Sequence, residues 1–99
     1  DYGLLGSLYL SSKQFVKAEE AYLKAVSLDK TALHYQLQLA HVYLFTDQLS
    51  KAKDLHKKYQ SNNLSDGKSW TEQTKSDFQQ FEKNGFDTSD FKKILRLLD

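Results

Sequence analysis

The chain has no cysteine, no proline and no methionine, and only four glycines among its 99 residues. Without cysteine there is no disulfide, no thiol nucleophile and no thiolate metal site, and the redox compartment is left open. Without proline, and with so little glycine, few residues are available to interrupt helices. With no methionine to start it, the chain is expected to be an excised piece of a longer protein, or a processed one. Long apolar runs are missing as well: none approaches the roughly 20 residues that span a bilayer. Charge of one sign is also scarce, and a net charge of +1 exerts no long-range pull on nucleic acid or acidic membranes. What is present is a globular composition, 39% hydrophobic and 27% charged. A chain of this length makes one small domain, residues 1–99, that hides about two-thirds of its unfolded surface.

The strongest internal signal is self-similarity. The stretch beginning at Tyr2 aligns without gaps to the stretch beginning at Gln36, at a constant offset of 34 residues (Tyr2 to Gln36). Leu5, Tyr9, Leu10 and Gln14 meet Leu39, Tyr43, Leu44 and Gln48; Lys17, Ala18, Lys24 and Ser27 meet Lys51, Ala52, Lys58 and Ser61. Each copy divides into two helical segments. Tyr2, Leu5, Gly6 and Tyr9 share one helical face, with Leu4 and Leu8 on a neighbouring one. Phe15, Ala18, Tyr22, Ala25 and Val26 then recur at steps of three and four. Ser12, Asp29 and Thr46 or Asp47 are the expected N-caps of the second, third and fourth helices. A small residue at Gly6 or Ala40, facing another at Ala18 or Ala52, lets paired helices pack closely.

At Tyr2, Leu5, Gly6, Tyr9, Ala18, Tyr22, Ala25, Leu28 and Asp29 the chain resembles the tetratricopeptide repeat family. The second copy keeps Leu39, Ala40, Tyr43 and Ala52, with His56 in place of the usual aromatic and Tyr59 in place of the last small residue. Lys30 stands where the family's closing proline is usual. The resemblance implies an all-α fold, a right-handed superhelical array of about six antiparallel helices. Repeat 1 would span about 1–30, repeat 2 about 31–64 and a diverged capping pair about 65–99. It further implies that the first helix of each pair lines a concave groove that binds proteins or peptides.

Trp70 keeps the register of Tyr2 and Gln36, but Thr74 and Asp77 stand where a small residue and an aromatic should follow. Trp70, Phe78 and Phe81 form a sparse apolar stripe, and the helix is expected to overrun to the Asn84–Gly85 stop. Ser69 and Glu72 have capping-box spacing, yet Ser65 or Asp66 is the preferred start, because it keeps Trp70 inside the helix. A last amphipathic helix is expected behind Asp87 as N-cap, with Phe86 and Phe91 as a hydrophobic staple. Its apolar face is Phe91, Ile94, Leu95 and Leu98, which suits the end of a solenoid and makes the third unit a cap anchored by Trp70.

No residue set assembles nucleophile, base and oxyanion donors, so neither catalytic residues nor a cofactor site are expected. His34 and His41 share a face but lie about 10 Å apart along it, too far for metal ligands commonly spaced four residues apart. His56 reads as a half-buried packing residue. The lysines of the fourth helix read as a solvated face, with Asp54 and Lys58 placed to pair. By the resemblance, the groove-facing residues are Ser7, Leu10 and Ser11, then His34, Leu37, His41 and Phe45, then Thr71 and Lys75; Gln38 joins them on the polar strip of the third helix. The lysine–asparagine clamp that grips a C-terminal carboxylate in one subgroup is replaced by Gly3 and Ser7, then Leu37 and His41. The expected function is a non-catalytic interaction module holding a protein or peptide partner in the groove. The alternative is a structural C-terminal segment of a longer helical scaffold. Exposed Leu4 and Leu8 would also invite self-association through the N-terminal helix.

Overall fold

The two copies of the repeat each fold as a helix pair, and the pairs match down to single hydrogen bonds. The computed structural model describes all of residues 1–99 and contains six helices and no strands. The first pair is α1 (Tyr2–Ser11) and α2 (Phe15–Leu28); the second is α3 (Leu33–Phe45) and α4 (Leu49–Tyr59). Two further helices follow, α5 (Trp70–Lys83) and α6 (Phe91–Leu98).

Both pairs turn on a left-handed residue at the same register point, Lys13 (φ 60°) and Asp47 (φ 58°). The Gln14 amide donates to the Tyr9 carbonyl at 2.8 Å and the Gln48 amide to the Tyr43 carbonyl at 2.9 Å. This bond across the last turn satisfies a helix-end carbonyl, as in a Schellman stop. The hydroxyls of Ser12 and Thr46 donate back to Leu8 and Val42, and accept in turn from the Gln14 and Gln48 carboxamides. Ser12, Thr46 and Asp47 therefore finish one helix rather than cap the next, which corrects their expected role. The following helices begin behind Gln14 and Gln48, which make no side-chain cap bond. Asp29 is corrected likewise: its carboxylate accepts from the amide and hydroxyl of Thr31, and α3 starts only at Leu33.

Close approach within the first pair centres on Gly6, where a Cβ would lie 2.9 Å from the Tyr22 ring. The small residue at Gly6 thus makes room for the Tyr22 ring. Ala18 and Ala52 are both wholly buried, at the same register position in α2 and α4. Lys17 lies over the Tyr9 ring and Lys51 over the Tyr43 ring, each at 5.7 Å. The expected Asp54–Lys58 pair does not form; Lys58 lies over Tyr59 instead. The second helix of the first pair then packs on α3, which joins the pairs.

The third unit starts in register and then departs. A closed loop precedes α5: Leu64 N donates to Lys68 O, Gly67 turns at φ 86°, and Trp70 N donates to Asn62 O. That loop leaves no room for a helix at Ser65 or Asp66. The helix starts at Trp70, with the Ser69 hydroxyl accepting from Glu72 N at 3.0 Å, so the start at Ser69 holds as a simple N-cap and the earlier start does not. Trp70 is still fully buried, against Leu37 and Leu64 with Tyr59 and Leu98 beside them. The helix ends at Lys83 before Gly85 (φ 77°), as the Asn84–Gly85 signal indicated.

The last helix starts at Phe91 and not behind Asp87, whose carboxylate instead accepts from Ser89 N in a tight turn. Phe86 and Phe91 are both buried, but they pack on the rings of Phe45 and Phe81. A regular third pair would set α6 against α5. Its backbone lies closest to α4, and it meets α5 chiefly through the Phe91 ring, stacked on Phe78 at 4.0 Å. The fifth helix meets α3 through long side chains, and lies over the inner row of α3.

Candidate functional site

The inner row of α3 is where the resemblance places ligand contacts, and α5 covers much of it. The Nε2–H of His41 donates to Asp77 Oδ2 at 3.0 Å, and the Gln38 carboxamide reaches the same oxygen at 3.2 Å. Gln73 donates to the other carboxylate oxygen at 2.8 Å. Burial pushes the Asp77 carboxyl up, but the bonds from His41, Gln73 and Gln38 outweigh it and hold the group below the usual carboxylate range. Phe78 and Phe81 wall in the His41 ring, each with its centroid 5.4 Å away. His41 is fully buried, and this Asp–His pair holds one helix to another.

A second polar contact fixes the start of the same helix. Trp70 Nε1–H donates to His56 Nδ1 at 2.9 Å. An indole can only donate, so the imidazole proton of His56 sits on Nε2. Burial and the neighbouring His41 push the His56 imidazole down to about 3, which keeps it neutral. His56 is wholly buried rather than half-buried. The two imidazole rings lie 6.2 Å apart, and the remaining nitrogens, His41 Nδ1 and His56 Nε2, have no protein partner.

What α5 leaves open is a cleft of about 530 Å³ between itself and α1. The inner row of α1 forms one wall with Ser7, Leu10 and Ser11; Gln80 and Phe81 of α5, with its C-cap Asn84, form the other. Gln38 and Asp77 contribute from within, and one end is bounded by Lys13 and Phe86. There the Lys13 ammonium donates to the Gly85 carbonyl at 3.4 Å and sits 5.0 Å over the Phe86 ring. This strap ties the α1–α2 turn to the α5–α6 turn.

The expected groove residues are therefore split. Ser7, Leu10, Ser11 and Gln38 come together in the cleft. Leu37 and His41 are fully buried beneath Trp70 and α5, and their expected contact with a partner is corrected. Phe45 stacks on Phe15 at 5.0 Å and packs on Phe81, so it belongs to the aromatic core. His34 is exposed outside the cleft, beside Tyr35. Thr71 and Lys75 also lie outside it, and Lys75 pairs with Asp99 at 3.4 Å. The sequence reading missed Lys13, Asp77, Gln80, Phe81, Asn84 and Phe86. One signal could have found Asp77: an acid at the register position of Tyr9 and Tyr43 must be satisfied, and histidines on α3 and α4 were available.

Residues 2–31, which cover α1 and α2, match the family model of the tetratricopeptide repeat. No curated protein matches the chain, and no solved structure does. The chain is thus an all-helical array whose first helix pair is similar to a tetratricopeptide repeat and whose second pair repeats its turn.

Proposed function

We propose that this chain is a non-catalytic interaction module that holds a short, uncharged peptide segment of a partner protein in the cleft between α1 and α5. Repeats of this family generally mediate protein–protein interaction, and the chemistry of the cleft gives the finer reading. One observation carries it: the lining joins hydroxyl and carboxamide groups of Ser7, Ser11, Gln38, Gln80 and Asn84 to an apolar floor of Leu10, Phe81 and Phe86. Carboxamides and hydroxyls match the donors and acceptors of a peptide backbone, and the floor suits an aliphatic side chain. The charges at the cleft are already engaged, Lys13 by the Gly85 carbonyl and Asp77 by three donors. Within the cleft a ligand therefore meets neutral polar groups, and the Lys13 ammonium, bonded only to a neutral carbonyl, keeps its charge at one end.

The test is NMR titration with a library of uncharged hexapeptides. Shifts gathered at Ser11, Gln80 and Asn84, and lost in Ser11→Arg, support the cleft. A second reading, a structural segment of a longer helical scaffold, draws on the covering of Leu37 and His41 by the chain's own residues. Silence across the library would favour it.

A further inference from the structure

Three polar side chains, one each from α3, α4 and α5, are wholly buried where these helices meet: His41, His56 and Thr74. His41 Nδ1 and His56 Nε2 are also the only buried side-chain polar atoms in the chain that bond to nothing in it. A buried nitrogen left bare is costly, and in native proteins such groups find a protein partner or an ordered water. The protein fixes what each nitrogen offers. His56 Nδ1 accepts from the Trp70 indole, so its Nε2 carries the proton and donates. His41 Nε2 donates to Asp77 Oδ2, so in the neutral ring Nδ1 accepts. A donor and an acceptor thus stand on two rings with centres 6.2 Å apart, and no direct bond joins them. Thr74 lies between them along α5. Four residues before it Trp70 packs on His56, and four residues after it Phe78 packs on His41. The Thr74 hydroxyl proton goes to the Trp70 carbonyl at 2.8 Å, which leaves its oxygen free to accept.

We propose that these three side chains bind a single water molecule, which accepts from His56 Nε2–H and donates to His41 Nδ1 and Thr74 Oγ1. Two bonds of about 2.9 Å meeting at one oxygen suit the span between the rings, and about three bonds are usual for a buried water. The water completes a chain of donors that all point one way. It runs from the Trp70 indole through His56, the water and His41 to the Asp77 carboxylate. Aligned donors polarise one another, so the chain fastens α5 to both helices of the second pair more firmly than its separate bonds would. The site also gives Thr74 a task at a register where the two earlier copies have Gly6 and Ala40. A metal ion does not suit it. A ligating imidazole nitrogen must be bare, whereas His56 Nε2 holds its proton as long as the indole occupies Nδ1. Nor does the fold gather three His, Cys, Asp or Glu side chains that could share an ion. The water site lies apart from the cleft and stands whether or not the cleft binds peptide.

The test is water–protein NOE and ROE spectroscopy of the intact chain, with the histidine rings labelled. Cross-peaks are expected from water to the carbon-bound ring protons of His41 and His56. Their signs should be opposite in the two experiments, as a long-lived bound water gives. The ring nitrogen shifts should place a proton on Nε2 of both histidines. In Thr74→Val, which keeps the shape and removes the acceptor oxygen, the cross-peaks should be lost while circular dichroism still reports the folded chain. Wild-type spectra without these cross-peaks would overturn the proposal, as would a proton on His56 Nδ1, so the outcome does not hang on the variant folding. Cross-peaks that persist in folded Thr74→Val would overturn the three-bonded site. Equimolar zinc(II) or copper(I) should leave the nitrogen shifts of both rings unchanged. Shifts at His41 and His56 together would make a metal ion the occupant and overturn the water.

Discussion

The helix pairs in residues 2–59 and the helices in residues 60–99 begin on the same register and end in different architectures. In the first region, the turns at Lys13 and Asp47, the hydroxyls of Ser12 and Thr46, and the rings under Lys17 and Lys51 recur residue for residue. In the second, Trp70 holds its place, but Asp77 stands at the position of Tyr9 and Tyr43. A half-buried carboxylate needs donors, and His41 and Gln38 on the inner row of α3 supply them. One residue class exchanged for another draws α5 over the concave face. The space beside α4 then goes to α6. The repeat is preserved by turn chemistry and small residues, and broken by a polar group that must be satisfied.

The largest expected effect sharpens the second half of this comparison. Trp70→Ala removes the buried anchor of α5 and should cost about 3–5 kcal/mol in urea unfolding followed by circular dichroism. A loss under about 1 kcal/mol would mean that the third unit is not packed as described. Next, Ala18→Leu and Ala52→Leu should each overpack a helix pair at matching positions and cost about 1–3 kcal/mol. If only one of the two lowers the melting temperature, the equivalence of the pairs fails.

A smaller effect comes from pH. His56 titrates near 6.5 when unfolded and at about 3 in the native state. Between those values the unfolded chain binds the proton more readily, so stability is full above 6.5 and falls as pH drops toward 3. One pH unit below the unfolded value, the loss due to His56 should be about 1.4 kcal/mol. In His56→Phe that part of the pH dependence should vanish, at the cost of an unpaired Trp70 indole. An unchanged slope in the variant would assign the effect elsewhere. The smallest change tests the turns: Asp47→Gly relieves a left-handed side chain and should add about 0.5–1 kcal/mol. Lys13→Gly should gain less, because it also cuts the strap to Gly85 and Phe86.

Much of the array was legible in the sequence, and for a physical reason. Periodicity and the offset copies report local geometry, so α1 to α4, the buried alanines, the overrun of α5 and the anchoring of Trp70 all followed from pattern. Helix starts were less legible, since Ser12, Asp29, Thr46 and Asp87 have the chemistry of caps but spend it on turns. The cleft was legible on one side only. Ser7 and Ser11 stay exposed on an inner face with Leu10 buried beside them, whereas Leu37 and His41 are covered by a helix whose placement depends on a tertiary contact. No spacing along the chain encodes a bond from Asp77 to His41.

The α5 helix lies across the inner face of α3 and leaves the α1 side open. A solution NOESY spectrum tests it most directly. The account predicts cross-peaks from the His41 ring to Phe78 and Phe81, from Phe45 to Phe81, and from the Trp70 indole proton to His56, with that indole proton protected from exchange. A spectrum without the His41–Phe81 and Phe45–Phe81 contacts, and with a freely exchanging indole, would contradict it.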